Sequence, residues 1–158
     1  MSNTPQDITP PVEFSGEGQL LLYTRYGDPR DSGFENKWIT SWHVQNRFPW
    51  FPQENIMVHK HFKTILEQAF AELELNGVHA EIKEINETYS LRTVKGSSEV
   101  LSVHSWGAAI DMNATDNPLG SMGNWSQTFI DVMQRNEIHC GQLWLPRQDA
   151  MHFSMVNG

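Results

Sequence analysis

One cysteine, Cys140, occurs in 158 residues, so no intramolecular disulfide can brace this chain. Cys140 follows His139, which raises a metal reading; a half-buried thiol at the end of a helix is the expected one. Basic residues are also scarce, 11 Lys and Arg against 19 Asp and Glu, for a net charge of −8, and they form no run. That excludes sequence-independent nucleic-acid binding, which needs clustered cations, and disfavours anionic lipid surfaces. No apolar stretch approaches the length of a membrane span. The opening Met1-Ser2-Asn3-Thr4-Pro5-Gln6-Asp7 lacks the basic-then-apolar pattern of a secretory signal. Synthesis in the cytoplasm is therefore expected, with any outside target reached by another route. Repeats and low-complexity tracts are absent too.

What is present suits one globular domain: 39% apolar and 19% charged residues, with six Trp and eight Phe. Residues 1–18 are polar and carry Pro5, Pro10 and Pro11, a flexible lead-in to a domain over 19–158. Leu20-Leu21-Leu22-Tyr23 suggests a short strand. Phe62, Ile65, Leu66, Ala69, Phe70 and Leu73 follow helical spacing, predicting a helix from about Glu54 to Asn76 before the stop at Gly77. Val78, Ala80 and Ile82 alternate as a strand would. A buried strand is expected over Gly107–Met112 and a second helix from about Asn124 to Ile138. Leu143-Trp144-Leu145 and His152-Phe153-Ser154-Met155 are the closing strand candidates. Helices and strands do not alternate regularly, so the expected class is a small single-domain α+β fold.

Two stretches carry chemistry. Ser102-Val103-His104-Ser105-Trp106-Gly107-Ala108-Ala109-Ile110-Asp111 and Asp149-Ala150-Met151-His152-Phe153 supply two imidazoles, a carboxylate and a spare carboxylate. A catalytic zinc site needs three protein ligands, an open position for water, and a neighbouring base. His104 and Asp111 lie seven residues apart and would converge from a loop and the strand it leads into, with His152 arriving from a separate strand. Spacing alone leaves a second reading open, in which these are scattered polar residues. His59 and His61, two apart on a predicted helix, point to different faces, and His43 and His79 lack a carboxylate partner.

Ser102-x-His104-x-x-Gly107-x-Ala109-x-Asp111, then Asp149-x-x-His152-Phe153, resembles the M15 family of zinc peptidases, with Asp111-Met112-Asn113 and the upstream Tyr89-Ser90-Leu91-Arg92 also similar. The resemblance spans roughly residues 54–155. It implies a Hedgehog/D,D-peptidase-like fold with an antiparallel sheet and packed helices. It implies Zn2+ held by His104, Asp111 and His152, Asp149 as general base and Arg92 over the scissile carbonyl. Ser102, Trp106 and Trp144 are weaker candidates for lining the substrate site, with a structural turn for Ser102 and core packing for both tryptophans as the alternatives. Asp116 is either an orienter of a ligand histidine or, more in keeping with its turn, a loop former; Asp131 falls on an exposed helix face. Two departures stand out: Ser154 where many relatives have Glu, and Val103 where Asn is frequent.

The resemblance implies a peptidase of peptidoglycan stem peptides. An L-alanyl-D-glutamate endopeptidase of phage lysis type, released to the wall through holin-type pores, is the first expectation. A D-alanyl-D-alanine carboxypeptidase or dipeptidase is the second, and a catalytically silent, zinc-stabilised binding module the third. The partner expected is the wall peptide, with no nucleic acid or membrane and a monomeric chain. A retained base at Asp149 is what separates an enzyme from a silent module.

Overall fold

A computed structural model describes residues 10–158. The expected lead-in of residues 1–18 therefore lies outside the described residues as far as residue 9. From Pro10 the chain is structured. Val12–Phe14 makes a 3-10 turn that buries Phe14, and helix α1 spans Glu17–Tyr26.

Leu20–Tyr23 is thus helical rather than extended. Leu22 faces the core with no exposure, while Leu20, Leu21 and Tyr23 stay partly exposed, the one-sided burial of a helix. A four-residue apolar run carries no period of its own, and tertiary packing decided it. Helix α2 (Phe34–Trp38) leads into a hairpin of β1 (Ile39–Trp42) and β2 (Ile56–His59), antiparallel with Ile39 opposite His59. The long loop between them sends Val44, Phe48 and Phe51 into the core beside Phe70.

Helix α3 (Lys60–Leu75) starts six residues later than the spacing predicted, because Ile56–His59 is drawn into the hairpin. His59 caps it, its ring accepting the His61 N–H at 3.0 Å. Phe62, Leu66, Ala69, Phe70 and Leu73 are fully buried. The strand expected at 78–82 is instead a 3-10 turn, His79–Glu81. Asn113 explains why. Its side chain donates to the Glu81 carbonyl and accepts from the Lys83 and Glu84 N–H just beyond, while the Glu81 and Ile82 N–H groups close the turn onto the Val78 and His79 carbonyls.

The second sheet runs β3-β4-β6-β5, all antiparallel, from β3 (Ile85–Glu87), β4 (Ala109–Met112), β5 (His139–Cys140) and β6 (His152–Ser154). Leu143–Leu145, expected as a strand, instead ends a 3-10 turn and runs out onto the surface, with Leu145 88% exposed. Helix α4 (Gln127–Arg135) is shorter than predicted at both ends; Ser126 caps it by accepting the Phe129 N–H. Ile110, Met112 and Phe153 join α3 and α4 in the main core, while Val103, Trp106, Ala109 and Val156 join α1 in a second cluster. Small and α+β, the fold matches the expected class. Among the described residues no helix is long and apolar enough to cross a membrane.

Candidate metal centre and cleft

The strand register builds the site. Glu87 on β3 stands opposite Asp111 on β4, and Asp111 stands opposite His152 on β6. Strand side chains alternate faces, so Asp111 and His152 share the face away from Ile110 and Phe153. His104 enters from a 3-10 turn, Val103–Trp106, whose cap is Ser102; the Ser102 hydroxyl accepts the His104 N–H at 3.2 Å. Gly107 ends that turn at φ 67°, and a Cβ there would lie 2.6 Å from the His59 nitrogen. The Gly107 carbonyl accepts the His59 N–H, so a side chain would push the first hairpin off the site loop.

Asp111 Oδ1 lies 3.3 Å from His104 Nε2 and 3.1 Å from His152 Nδ1. Two ligands about 2.0–2.1 Å from a tetrahedral centre stand about 3.3 Å apart, so these separations suit edges of a zinc tetrahedron. His104 Nδ1 faces the Thr88 carbonyl at 2.7 Å. A carbonyl only accepts, so the ring proton sits on Nδ1 and the Nε2 lone pair turns toward Asp111. A buried imidazole lone pair facing a carboxylate needs a cation between them, a proton or a metal. The group is buried, and its three ligand atoms all lie within 4.8 Å of one another. The residues fit a zinc ion.

The electrostatics agree. Burial works against charge on His104, yet the Asp111 hydrogen bond and the carboxylates of Asp111 and Glu87 hold its pKa above the ordinary value. Burial would raise Asp111, but the two imidazoles keep it far below the usual carboxylate range. Asp149 goes the other way. Burial raises its carboxyl, His152 pulls it down and Asp111 pushes it further up, with a net rise. Its Oδ1 is buried without a hydrogen-bond partner.

These residues open into one cleft of about 270 Å3, lined among others by Arg92, Ser102, His104, Asp149 and His152. Trp144 lines it too, its ring 5.0 Å from that of His152. Trp106 does not: it is fully buried in the second core cluster and donates its indole N–H to the Gly27 carbonyl. Core packing is its role, because Gly107 turns the chain immediately after it. Asp116 sits elsewhere, 3.8 Å from Lys83, and Asp131 is exposed on α4. Cys140 is a buried thiol pushed up to about 12 by desolvation, apart from the cluster.

Sequence reasoning missed Glu87. Its carboxylate takes a two-pronged bond from Arg92, both contacts 2.6 Å, and Oε1 reaches to 3.4 Å from His104 Nε2. Lys95 and Arg147, also unremarked in the sequence, line the same cleft.

The family comparison falls on this region. Residues 95–155 match the M15 peptidase family model described as D-alanyl-D-alanine carboxypeptidase, a stretch that holds His104, Asp111, Asp149 and His152. The M15 peptidase resemblance read from the sequence is supported by that match, and M15 peptidases are zinc-dependent. No curated protein and no solved structure matches the chain.

Proposed function

We propose that the protein is a zinc metallopeptidase that hydrolyses peptide bonds in peptidoglycan stem peptides, in first place the L-alanyl-D-glutamate bond, as a lysis enzyme acting on the cell wall. One observation carries the enzymatic part. Asp149 presents a desolvated carboxylate with an unpartnered oxygen in the same cleft as His104, Asp111 and His152. A purely structural metal site has no use for such a group.

His104, Asp111 and His152 would hold the metal. Bound zinc supplies a Lewis acid and a water whose pKa falls from 15.7 to about 7. Asp149, with its raised pKa, takes the proton of the attacking water and returns it to the leaving amine. Arg92 stabilises the developing oxyanion: Glu87 and the Thr93 carbonyl occupy three of its five N–H groups, leaving one on each terminal nitrogen. Trp144 forms a wall against which substrate packs.

The matched family's description favours a second reading of substrate, D-alanyl-D-alanine cleavage. Mass spectrometry of digested peptidoglycan separates the two, since free D-alanine as product would sink the endopeptidase. Asp149→Ala should keep stoichiometric zinc and lose about 10²–10⁴-fold in hydrolysis, the usual share of a general base. Wall lysis at the wild-type rate by that variant would overturn the mechanism.

A further inference from the structure

We infer that Glu87 is the counter-ion and positioning residue that allows Arg92 to stand beside a bound divalent cation; this rests on the zinc reading of the site. The sheet register puts Glu87 directly opposite Asp111, and like charges so placed repel. A register shift between Ile85 and Glu87 disturbs the regular pairing there, as a bulge does where a strand re-aims a side chain.

One cation, the Arg92 guanidinium, compensates the pair. Arg92 grips Glu87 through Nε to Oε2 and Nη2 to Oε1, and donates from Nη1 to the Thr93 carbonyl at 2.9 Å. On the far side, Glu87 Oε1 lies 3.4 Å from His104 Nε2, the same nitrogen that lies 3.3 Å from Asp111. Glu87 therefore spans the gap between the guanidinium and the metal ligands.

The guanidinium keeps its charge at every working pH, and in a partly dry cleft that charge is weakly screened. Left bare, it would oppose a divalent cation. Paired with Glu87, it is neutralised on the side facing the ligands and keeps its remaining N–H groups for substrate.

Zinc affinity of the full chain, measured by competition with a chromophoric chelator, tests this without any turnover. Glu87→Gln should weaken zinc binding about 10–100-fold, the usual effect of losing a group that supports metal ligands. Arg92→Gln alone should bind zinc at least as tightly as wild type. The double variant should regain most of the affinity lost in Glu87→Gln. Wild-type affinity in Glu87→Gln would overturn the inference. So would a double variant as weak as the single one, because Glu87 would then act on the cation directly and not through Arg92. If Glu87→Gln fails to fold, judged by near-UV circular dichroism, Arg92→Gln decides, and weaker binding by it refutes the counter-ion role. A wild-type chain that takes up no zinc would defeat the proposed function itself, a result distinct from these.

Discussion

His59 shows how much one side chain can bring to this fold besides catalysis. Its ring lies between Tyr26 and Trp38, at centroid distances of 4.1 and 5.2 Å, and caps α3 as a neutral acceptor. Burial, with the charges of His61 and Lys60 adding to it, lowers its pKa from 6.5 to about 3. The folded chain refuses a proton that the unfolded chain accepts below its ordinary value. Stability from this residue is thus complete above pH 6.5 and declines as pH falls toward 3. At pH 5 the loss is about 2 kcal/mol, at 1.36 kcal/mol per unit. His59→Asn keeps a capping acceptor but cannot titrate, so urea unfolding at pH 7 and pH 5 should show it losing about 2 kcal/mol less than wild type. Protonation of the other histidines is common to both proteins and cancels. Equal losses would refute this assignment.

At the scale of elements, the site depends on close backbone approach as much as on ligands. The Gly141 carbonyl accepts the Asp149 N–H at 2.9 Å, and a Cβ on Gly141 would run into the Asp149 carbonyl oxygen. Gly141→Ala should therefore displace Asp149, the proposed base, and spare the proposed metal ligands. A shift of about 1 Å can cost 10²-fold in rate, so activity should fall about a hundredfold with zinc content unchanged. Atomic absorption beside a lysis assay reads both quantities, and full activity would show that the loop yields. Such couplings mark the limit of what the sequence makes legible. The grouping of His104, Asp111 and His152 could be read because ligand chemistry restricts residue type and order. The α3 and α4 faces could be read because burial imposes a period. Glu87 could not, since its meaning comes from a register shift and from Arg92 five residues on. Leu20–Tyr23 and Val78–Ile82 misled because short apolar patterns are settled by burial of Leu22 in the cluster that holds Val156 and by the Asn113 side chain on Glu81, both distant in sequence.

The whole molecule is organised around its last strand. β6 is bonded to β4 on one side and β5 on the other, and it brings both the proposed ligand His152 and the fully buried Phe153. Val156, just beyond, closes the second core cluster against α1. The candidate metal site and the hydrophobic core therefore end on the same few residues, and removing them must be separated from removing His152 alone. Losing a buried Phe alone costs about 3–5 kcal/mol, and an interior strand adds its ladder bonds and Val156. Against a typical margin of 5–15 kcal/mol, a chain ending at Asp149 should lose its cooperative unfolding transition altogether. His152→Ala should behave differently. It keeps Phe153 and the strand pairing, so near-UV circular dichroism stays native while zinc uptake collapses and the melting temperature no longer rises with added zinc. A truncated chain that still melts cooperatively would show that β6 serves the metal alone; a His152→Ala chain that still binds zinc at wild-type affinity would remove His152 from the ligand set.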